Sequence, residues 1–559
     1  MAELVFARTC NYWIDAGIVG LYNTLQKPLP KNNGGLGSWE ETIKGHFKIK
    51  AKLFPDVLRL EGEEKQIDRA LSYVLEWVRL TLYDVSTEKQ IANPEKDGRI
   101  KQMSTLAGKV VASGKQAKYT YFRQEIIKNI GKKNIFLPLK QKKAEKLATC
   151  VFCGNEANSK LALSEANEVF VGQTLKSSPF VEGDSSNRCF HSNHKGSVKC
   201  WRCGFATFFS PLLLFYRRRG TDTYYILPYI PGNLKATHLL YRSLSGKRGL
   251  ARVLGSEHTT VNYESAFKAM PPGMPLFTLS FYYDLYSRLL PQNSKNLLQI
   301  SEGLGIIDER GAVFQTSLFL KRDTTGGGGK SFILRETTID RSAYFIKLFL
   351  HLKRNMDAGR KGGKLFESLQ VFFRRASETA PQLQRLSVLR AAYALTEGKH
   401  VYRYLLSILP AGFKEGNSYE VYQISMLFKL YDQWLFRKED TIMAKMVEQA
   451  NNAGYHLSQN LWRLGGMDEK EKQNLIKRYY YAIERAPSPV KFLEQARHAC
   501  HKAGEGVPRE MVFHDENGKD DIKKFEVYRV YFLAGMLNGM LRTQASATGA
   551  SQEAQKKED

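Results

Sequence analysis

Two cysteine pairs, Cys150-Val-Phe-Cys153-Gly and Cys200-Trp-Arg-Cys203-Gly, constrain the fold more than any other feature of the chain. In each pair a Cys-x-x-Cys turn presents two thiolates to one ion, and the following glycine lets backbone N–H groups support the sulfurs. Two such knuckles supply the four soft ligands of a closed tetrahedral zinc site. Cys150, Cys153, Cys200 and Cys203 are therefore the expected ligands of a structural Zn2+. Sites of this kind add about 10–16 kcal/mol of apparent binding energy to local folding. A redox Cys-x-x-Cys needs only one pair in a thioredoxin-like setting and competes poorly. Cys189, His191 and His194 precede the second knuckle. With four thiols already available they read as loop residues, with substitute ligation or a second partial site as the alternatives. Cys10 and Cys500 read as buried apolar residues.

Charge gives the second constraint. The 559 residues carry 83 Lys and Arg against 56 Asp and Glu, a formal net charge of +27. Solubility does not require such an excess, and it points to a polyanion, nucleic acid first and an anionic membrane second. Aromatic residues make up 12% of the chain, which excludes disorder throughout. No run of about 20 apolar residues offers a membrane span, and the first residues lack a signal-peptide pattern. Seven cysteines in this length do not form a disulfide scaffold. A reduced, cytoplasmic protein without membrane association is expected.

Hydrophobic periodicity predicts an α+β chain: a mixed N-terminal domain over 1–355, a four-cysteine zinc-finger module inserted within it at 146–215, a C-terminal α-helical bundle over 360–545, and a disordered tail at 546–559. Asp15 is the expected N-cap of a first helix carrying Ile18, Leu21 and Leu25. Strands are expected at Phe47–Phe54, Val57–Leu60, Tyr224–Leu227 and Val313–Lys321, and a helix at Glu63–Leu82. Beyond the linker-like Arg360-Lys-Gly-Gly-Lys364, amphipathic runs predict helices over Leu365–Ala376, Gln382–Leu395, His400–Leu409, Tyr419–Leu435, Thr441–Leu464, Glu469–Ala486, Pro489–Lys502 and Asp521–Arg542. The lysine-rich stretch 98–146 keeps apolar positions interleaved and reads as a basic face, either solvated or touching phosphates.

Thr324-Thr-Gly-Gly-Gly-Gly-Lys330-Ser331 imitates a P-loop, but the required first glycine is Thr324. Strand-like residues flank the glycines on both sides, so a β-hairpin with a flexible tip is expected. Lys321, Arg322 and Lys330 beside that tip suit phosphate contact or a passive turn alike. Arg217, Arg218, Arg219, Arg242, Lys247, Arg248 and Arg252, interleaved with Tyr216, Tyr224, Tyr225 and Tyr241, form a second basic cluster of the composition that tracks a nucleic-acid backbone. No nucleophile elbow, kinase set or two-metal carboxylate cluster is present, and the chain reads as a binder rather than an enzyme.

The opening Trp13-Ile-Asp-Ala-Gly-Ile-Val-Gly-Leu, the two Cys-x-x-Cys-Gly knuckles and the helical C-terminal portion together resemble the zinc-finger-bearing large subunit of type I CRISPR Cascade complexes, of the I-B and I-A kind. The knuckles occur in many families, and the N-terminal phrase carries most of the weight. The resemblance implies a non-catalytic subunit of an RNA-guided surveillance complex in antiviral defence. It would sit at the guide-RNA 5′ end, recognise the PAM, aid opening of the target double-stranded DNA and recruit a helicase-nuclease. Its N-terminal part would read the PAM, and its bundle would line the path of the displaced strand. Its partners would be the guide RNA, the target DNA and the backbone, guide-5′-end and small Cascade subunits. Guide pairing would supply most of the specificity. Asn32 and Asn33, and the hairpin tip with Gly327 and Gly328, have the small or amide character that enters a minor groove. The resemblance also implies that an internal start, at Met426, could yield a small subunit from the bundle; within the full chain Met426 reads as a core residue. Two alternatives stay open: a zinc-stabilised HNH-type nuclease using His191 and His194, and a guide-independent zinc-bearing RNA-binding protein.

Overall fold

A computed structural model describes residues 1–9, 11–27, 42–83, 147–150, 152–154, 156–158, 201–206, 209–219, 222–245, 251–252, 261–263, 267, 273–289, 314–323, 331–340, 342–357, 365–376, 382–413, 418–508, 511–514 and 521–558. The chain divides into two units. One comprises Met1–Glu264 and Ser287–Ala343, the other Ser265–Tyr286 and Tyr344–Asp559. The expected fold class holds: a mixed N-terminal region with small sheets, a cysteine cluster, and a helical C-terminal region.

The first unit opens with β1 (Ala2–Ala7), α1 (Tyr12–Leu25), the short α2 (Ile43–His46), β2 (Lys50–Leu53), β3 (Val57–Gly62) and α3 (Glu64–Tyr83). The three strands form an antiparallel sheet in the order β1-β3-β2. Side chains alternate across a strand with period two. Accordingly Leu4, Phe6, Leu58 and Leu60 are buried, while Glu3 pairs with Arg59 at 3.4 Å and Glu61 with Lys52 at 3.7 Å. Helix α1 is capped by Asn11, whose side chain accepts from the Trp13 and Ile14 N–H groups. This corrects the expectation for Asp15. That residue lies inside the first turn and accepts from the backbone N–H and hydroxyl of Thr9, at 2.7 and 2.8 Å. Burial pushes the Asp15 carboxyl up to about 6, against the two Thr9 hydrogen bonds and the charge of Arg8.

Next come β4 (Leu147–Thr149), β5 (Glu156–Asn158), α4 (Trp201–Ala206), a 3-10 turn (Ser210–Leu213), β6 (Phe215–Arg219), β7 (Asp222–Tyr229), α5 (Leu234–Ser245), β8 (Ala251–Arg252), β9 (Val261–Tyr263), α6 (Met274–Leu289), β10 (Gln315–Asp323) and β11 (Ser331–Ile339). Of these, α6 belongs to the second unit as far as Tyr286. Strands β4 and β5 pair as a small hairpin. The larger sheet runs β11-β10-β7-β6-β9-β8, with only the β6/β9 pair parallel. β10 and β11 pair antiparallel with Asp323 opposite Ser331. The chain therefore leaves the glycine run as a strand, not as the helix whose N-terminus a P-loop needs.

The second unit is helical: α7 (Ser342–Asp357, in this unit from Tyr344), α8 (Leu365–Arg375), α9 (Gln382–Glu397), the short α10 (Tyr402–Leu405), a 3-10 turn (Leu409–Phe413), α11 (Ser418–Glu439), α12 (Thr441–Trp462), α13 (Glu469–Glu484), α14 (Pro489–Lys502) and α15 (Ile522–Glu558). Local chemistry sets several starts. Asp440 caps α12, Asp468 and Glu471 form a capping box on α13, and Ser488 with Pro489 opens α14. Helix α15 continues to Glu558, where the sequence predicts a disordered tail; the segment is rich in Ala, Gln, Lys and Glu, all strong helix formers. The core of this unit includes an aromatic knot in which Phe492 meets Phe513, Phe525, Tyr528 and Phe532 edge to face. Helices α12 and α15 approach so closely that a Cβ on Gly454 would lie 1.9 Å from the Phe532 carbonyl oxygen, and one on Gly535 would lie 2.0 Å from that of Asn451. No helix among the described residues is long and apolar enough to cross a membrane.

Candidate metal centre and cationic cluster

The turn after β4 carries the first two thiols. The Gly154 N–H donates to the Cys150 carbonyl at 2.9 Å, and Gly154 takes φ +73°, a left-handed value that favours glycine. The third thiol, Cys203, comes from α4. Its Sγ lies 3.9 Å from that of Cys150, beyond the about 2.05 Å of a disulfide. All three Sγ atoms of Cys150, Cys153 and Cys203 lie within 4.8 Å of one another. Ligands about 2.3 Å from a tetrahedral zinc are separated by about 3.8 Å, so these three positions fit one metal ion such as zinc. Cys200, Cys189, His191 and His194 lie outside the described residues. The second knuckle departs from expectation in its local form, because Cys203 and the glycine after it sit in a helix rather than an open turn.

The centre is built into the N-terminal core, not attached to it. Cys150, Phe152, Cys203 and Phe205 belong to the same buried cluster as Leu4, Phe6, Trp13 and Leu60. The segment after Cys203 lies directly on α1. A Cβ on Gly17 would fall 2.0 Å from the Ala206 carbonyl oxygen, and one on Gly20 would fall 2.4 Å from that of Phe209. The Ser210 hydroxyl donates to the Trp13 carbonyl at 2.6 Å. The glycines of the Trp13–Leu21 phrase thus have a structural reason: they admit the backbone that follows Cys203.

The described nucleic-acid candidates lie on β6 and β10, the two strands that flank β7: Arg219 and Arg322 are both in register with Asp222, and Arg218 and Lys321 with Thr223. Arg217, Arg218 and Arg219 lie on β6, opposite Tyr224, Thr223 and Asp222 of β7. Lys321 and Arg322 lie near the end of β10. Asn32, Asn33, Lys247, Arg248, Gly327, Gly328 and Lys330 lie outside the described residues. The aromatic half of the basic-aromatic reading is corrected at Tyr224 and Tyr225, which are buried in the core and are no stacking platforms. Tyr241 donates its hydroxyl to the Leu212 carbonyl, and burial raises its pKa further above the phenol range.

A cationic cluster that the sequence reading passes over forms between α7 and α11. The Lys438 ammonium sits 3.3 Å from the centroid of the Trp434 ring, a close cation–π contact. The His351 ring stacks on the same indole at 6.2 Å. Burial, then the charges of Arg437, Lys438 and Arg354, push the His351 pKa down to about 4, against a hydrogen bond with the Leu430 backbone. The Lys438 pKa is also lowered, by burial and by the charge of Lys347. Among the described residues no carboxylate forms an ion pair with Lys347, Arg437 or Lys438. Like charges gathered without counter-charge destabilise the fold and attract polyanions. On α7, His351 and Arg354 lie four and seven residues after Lys347, and on α11, Arg437 and Lys438 lie three and four after Trp434. These helical spacings were the available signal.

No protein-family model matches the chain, and no curated protein sequence matches it at a significant level.

Proposed function

We propose that the chain is a non-catalytic, nucleic-acid-binding large subunit of a type I CRISPR surveillance complex, with a structural zinc held by Cys150, Cys153, Cys203 and Cys200. The uncompensated cations Lys347, Arg437 and Lys438, in a chain of net charge +27, are the observation that most favours a polyanion partner. The knuckles and the N-terminal phrase supply the resemblance that narrows the partner to guide RNA and target DNA. In this reading the zinc orders the N-terminal region, the basic strands and loops read the PAM flank, and the helical unit meets the DNA backbone. A product starting at Met426 would retain most of α11 and all of α12–α15, including the closely packed α12/α15 pair.

The test is to purify the tagged chain from cells that carry its neighbouring genes and to sequence the RNA that accompanies it. Short RNAs with one repeat-derived handle and varying spacers are expected. Ordinary cellular RNA would favour a guide-independent RNA-binding protein. Metal-dependent cleavage by the purified chain, lost with His191→Ala, would favour a nuclease. The cluster has its own check. In the double variant Lys347→Glu, Arg437→Glu, single-strand affinity falls, and the slope of log K against log salt becomes shallower by about 0.7 for each phosphate that is no longer neutralised. An unchanged slope would remove the cluster from the interface.

A further inference from the structure

Pairing register sorts the charges of the large sheet between its two faces. Residues opposite one another in an antiparallel pair lie on the same face, and successive rungs alternate. Arg219, Asp222 and Arg322 form one rung across β6, β7 and β10, and Arg217, Tyr224 and Leu320 form the second rung inward from it. Both rungs lie on one face. Arg335 of β11 stands opposite Leu320 and joins that face. The rung of Arg218, Thr223 and Lys321 and the rung of Tyr216, Tyr225 and Phe319 lie on the other face, together with Glu336 opposite Phe319 and Asp323 opposite Ser331. On these four strands the first face thus carries four arginines and one carboxylate, Asp222, while the second carries Arg218 and Lys321 balanced by Asp323 and Glu336.

A register shift produces this sorting. It falls between Leu320 and Lys321, so that Lys321 pairs with Ile333 while Leu320 pairs with Arg335. A bulge changes which residues share a face. An unshifted hairpin would pair Phe319 with Arg335 and Leu318 with Glu336, which would move the arginine to the balanced face and bring the glutamate to the arginine face. The balanced face is the one that contributes to the N-terminal core: Tyr225 and Leu227 belong to the buried cluster of Trp13 and Leu60. The inner part of the arginine face is buried at Tyr224, Ile226 and Leu318, so the arginines lie at its outer end.

We propose that this face is a phosphate-binding site that straddles a groove of double-stranded DNA, with Arg217 and Arg219 meeting one backbone and Arg322 and Arg335 the other. The inference rests on the nucleic-acid reading given above and adds the site and the form of the ligand. Neighbouring strands lie about 4.8 Å apart, so β6 is about 10 Å from β10 and about 14 Å from β11. These spans bracket the major-groove width of about 12 Å. Asp222, on the strand between β6 and β10, falls where a groove has no phosphate. All four cations are arginines, whose planar fork binds a phosphate with two hydrogen bonds. Phosphate contacts position a duplex without reading its bases, so the site supplies affinity and orientation but no sequence preference.

The experiment measures binding of two labelled DNA duplexes of unrelated sequence, and of an oligothymidylate, to the full chain over a salt series. In the double variant Arg219→Gln, Arg322→Gln, affinity for both duplexes is expected to fall alike, and the slope of log K against log salt to become shallower by about 1.8, from about 0.9 for each of two phosphates. Arg218→Gln, Lys321→Gln removes the same charge from the other face and is expected to change the slope less than half as much. Asp222→Asn is expected to tighten duplex binding about two- to fivefold, the size of one ion-pair contribution, and it carries the test alone should the arginine variant fail to fold. An unchanged slope in the arginine variant, equal changes from both double variants, a loss confined to the oligothymidylate, or an Asp222→Asn chain that binds no tighter than wild type overturns the site and leaves the nucleic-acid reading standing. Failure of the wild-type chain to bind any of the three probes overturns the reading and the site together.

Discussion

Stripping the metal, or replacing Cys150 by Ser, is expected to unfold the N-terminal core and not merely a peripheral finger. Cys150 and Cys203 are 1% and 3% exposed and pack in one cluster with Trp13, Phe6 and Leu60. The chain after Cys203 presses its backbone onto Gly17 and Gly20. Structural zinc sites are worth about 10–16 kcal/mol in apparent binding energy, as much as the whole stability of an ordinary domain, about 5–15 kcal/mol. Loss of an ion held by these thiols is therefore expected to exceed what the surrounding apolar packing can offset. Hydrogen exchange before and after chelation under reducing conditions checks this. Protection is expected to vanish in α1, β1, β3, α4 and α5 together while α11 and α12 keep theirs. Loss confined to 147–158 and 201–206 would show instead a separable module. Elemental analysis should find one zinc per chain.

The second large effect is expected from Gly454→Val. A Cβ at this site lies 1.9 Å from the Phe532 carbonyl oxygen, and Gly535 and Gly539 make matching approaches, at 2.0 Å to Asn451 and 2.5 Å to Tyr455. A side chain at any of the three must push two backbones apart along the whole seam. That separation opens the packing around Asn451 and Ser458, both buried. Overpacking of this kind costs about 3 kcal/mol or more, and thermal melting of the variant should show a drop of several degrees at least. Gly465 is the control. A Cβ there meets nothing within 4 Å, so Gly465→Ala should melt within about 0.5 kcal/mol of wild type. Equal melting of Gly454→Val and Gly465→Ala would refute the close seam.

Much of the architecture was written in local chemistry. The 3.6-residue apolar period marks α8, α9 and α11–α15, and caps such as Asp440, Asp468 and Ser488 with Pro489 fix where several begin. Alternation and β-branched residues mark β3, β7 and β10, and the strand-like flanks of the glycine run foretell the β10/β11 hairpin. The Cys-x-x-Cys spacing named three thiols that do converge. Each of these signals is carried by residues a few positions apart, where backbone geometry alone sets the neighbours.

What local pattern could not decide was which distant surfaces meet. Tyr224 and Tyr225 look like stacking platforms until their strand is placed inside a six-stranded sheet. Lys347 becomes a neighbour of Lys438 only when α7 packs on α11. His400 meets carboxylates 32 and 39 positions away. The length, charge, helices, strands and cysteine pairs belong to the sequence by itself, because they depend on residue type and short spacing. The joining of the cysteine cluster to the N-terminal core, the cationic cluster and the contacts of His400 with Asp432 and Glu439 belong to the tertiary structure, because burial and long-range proximity exist only once the elements have packed.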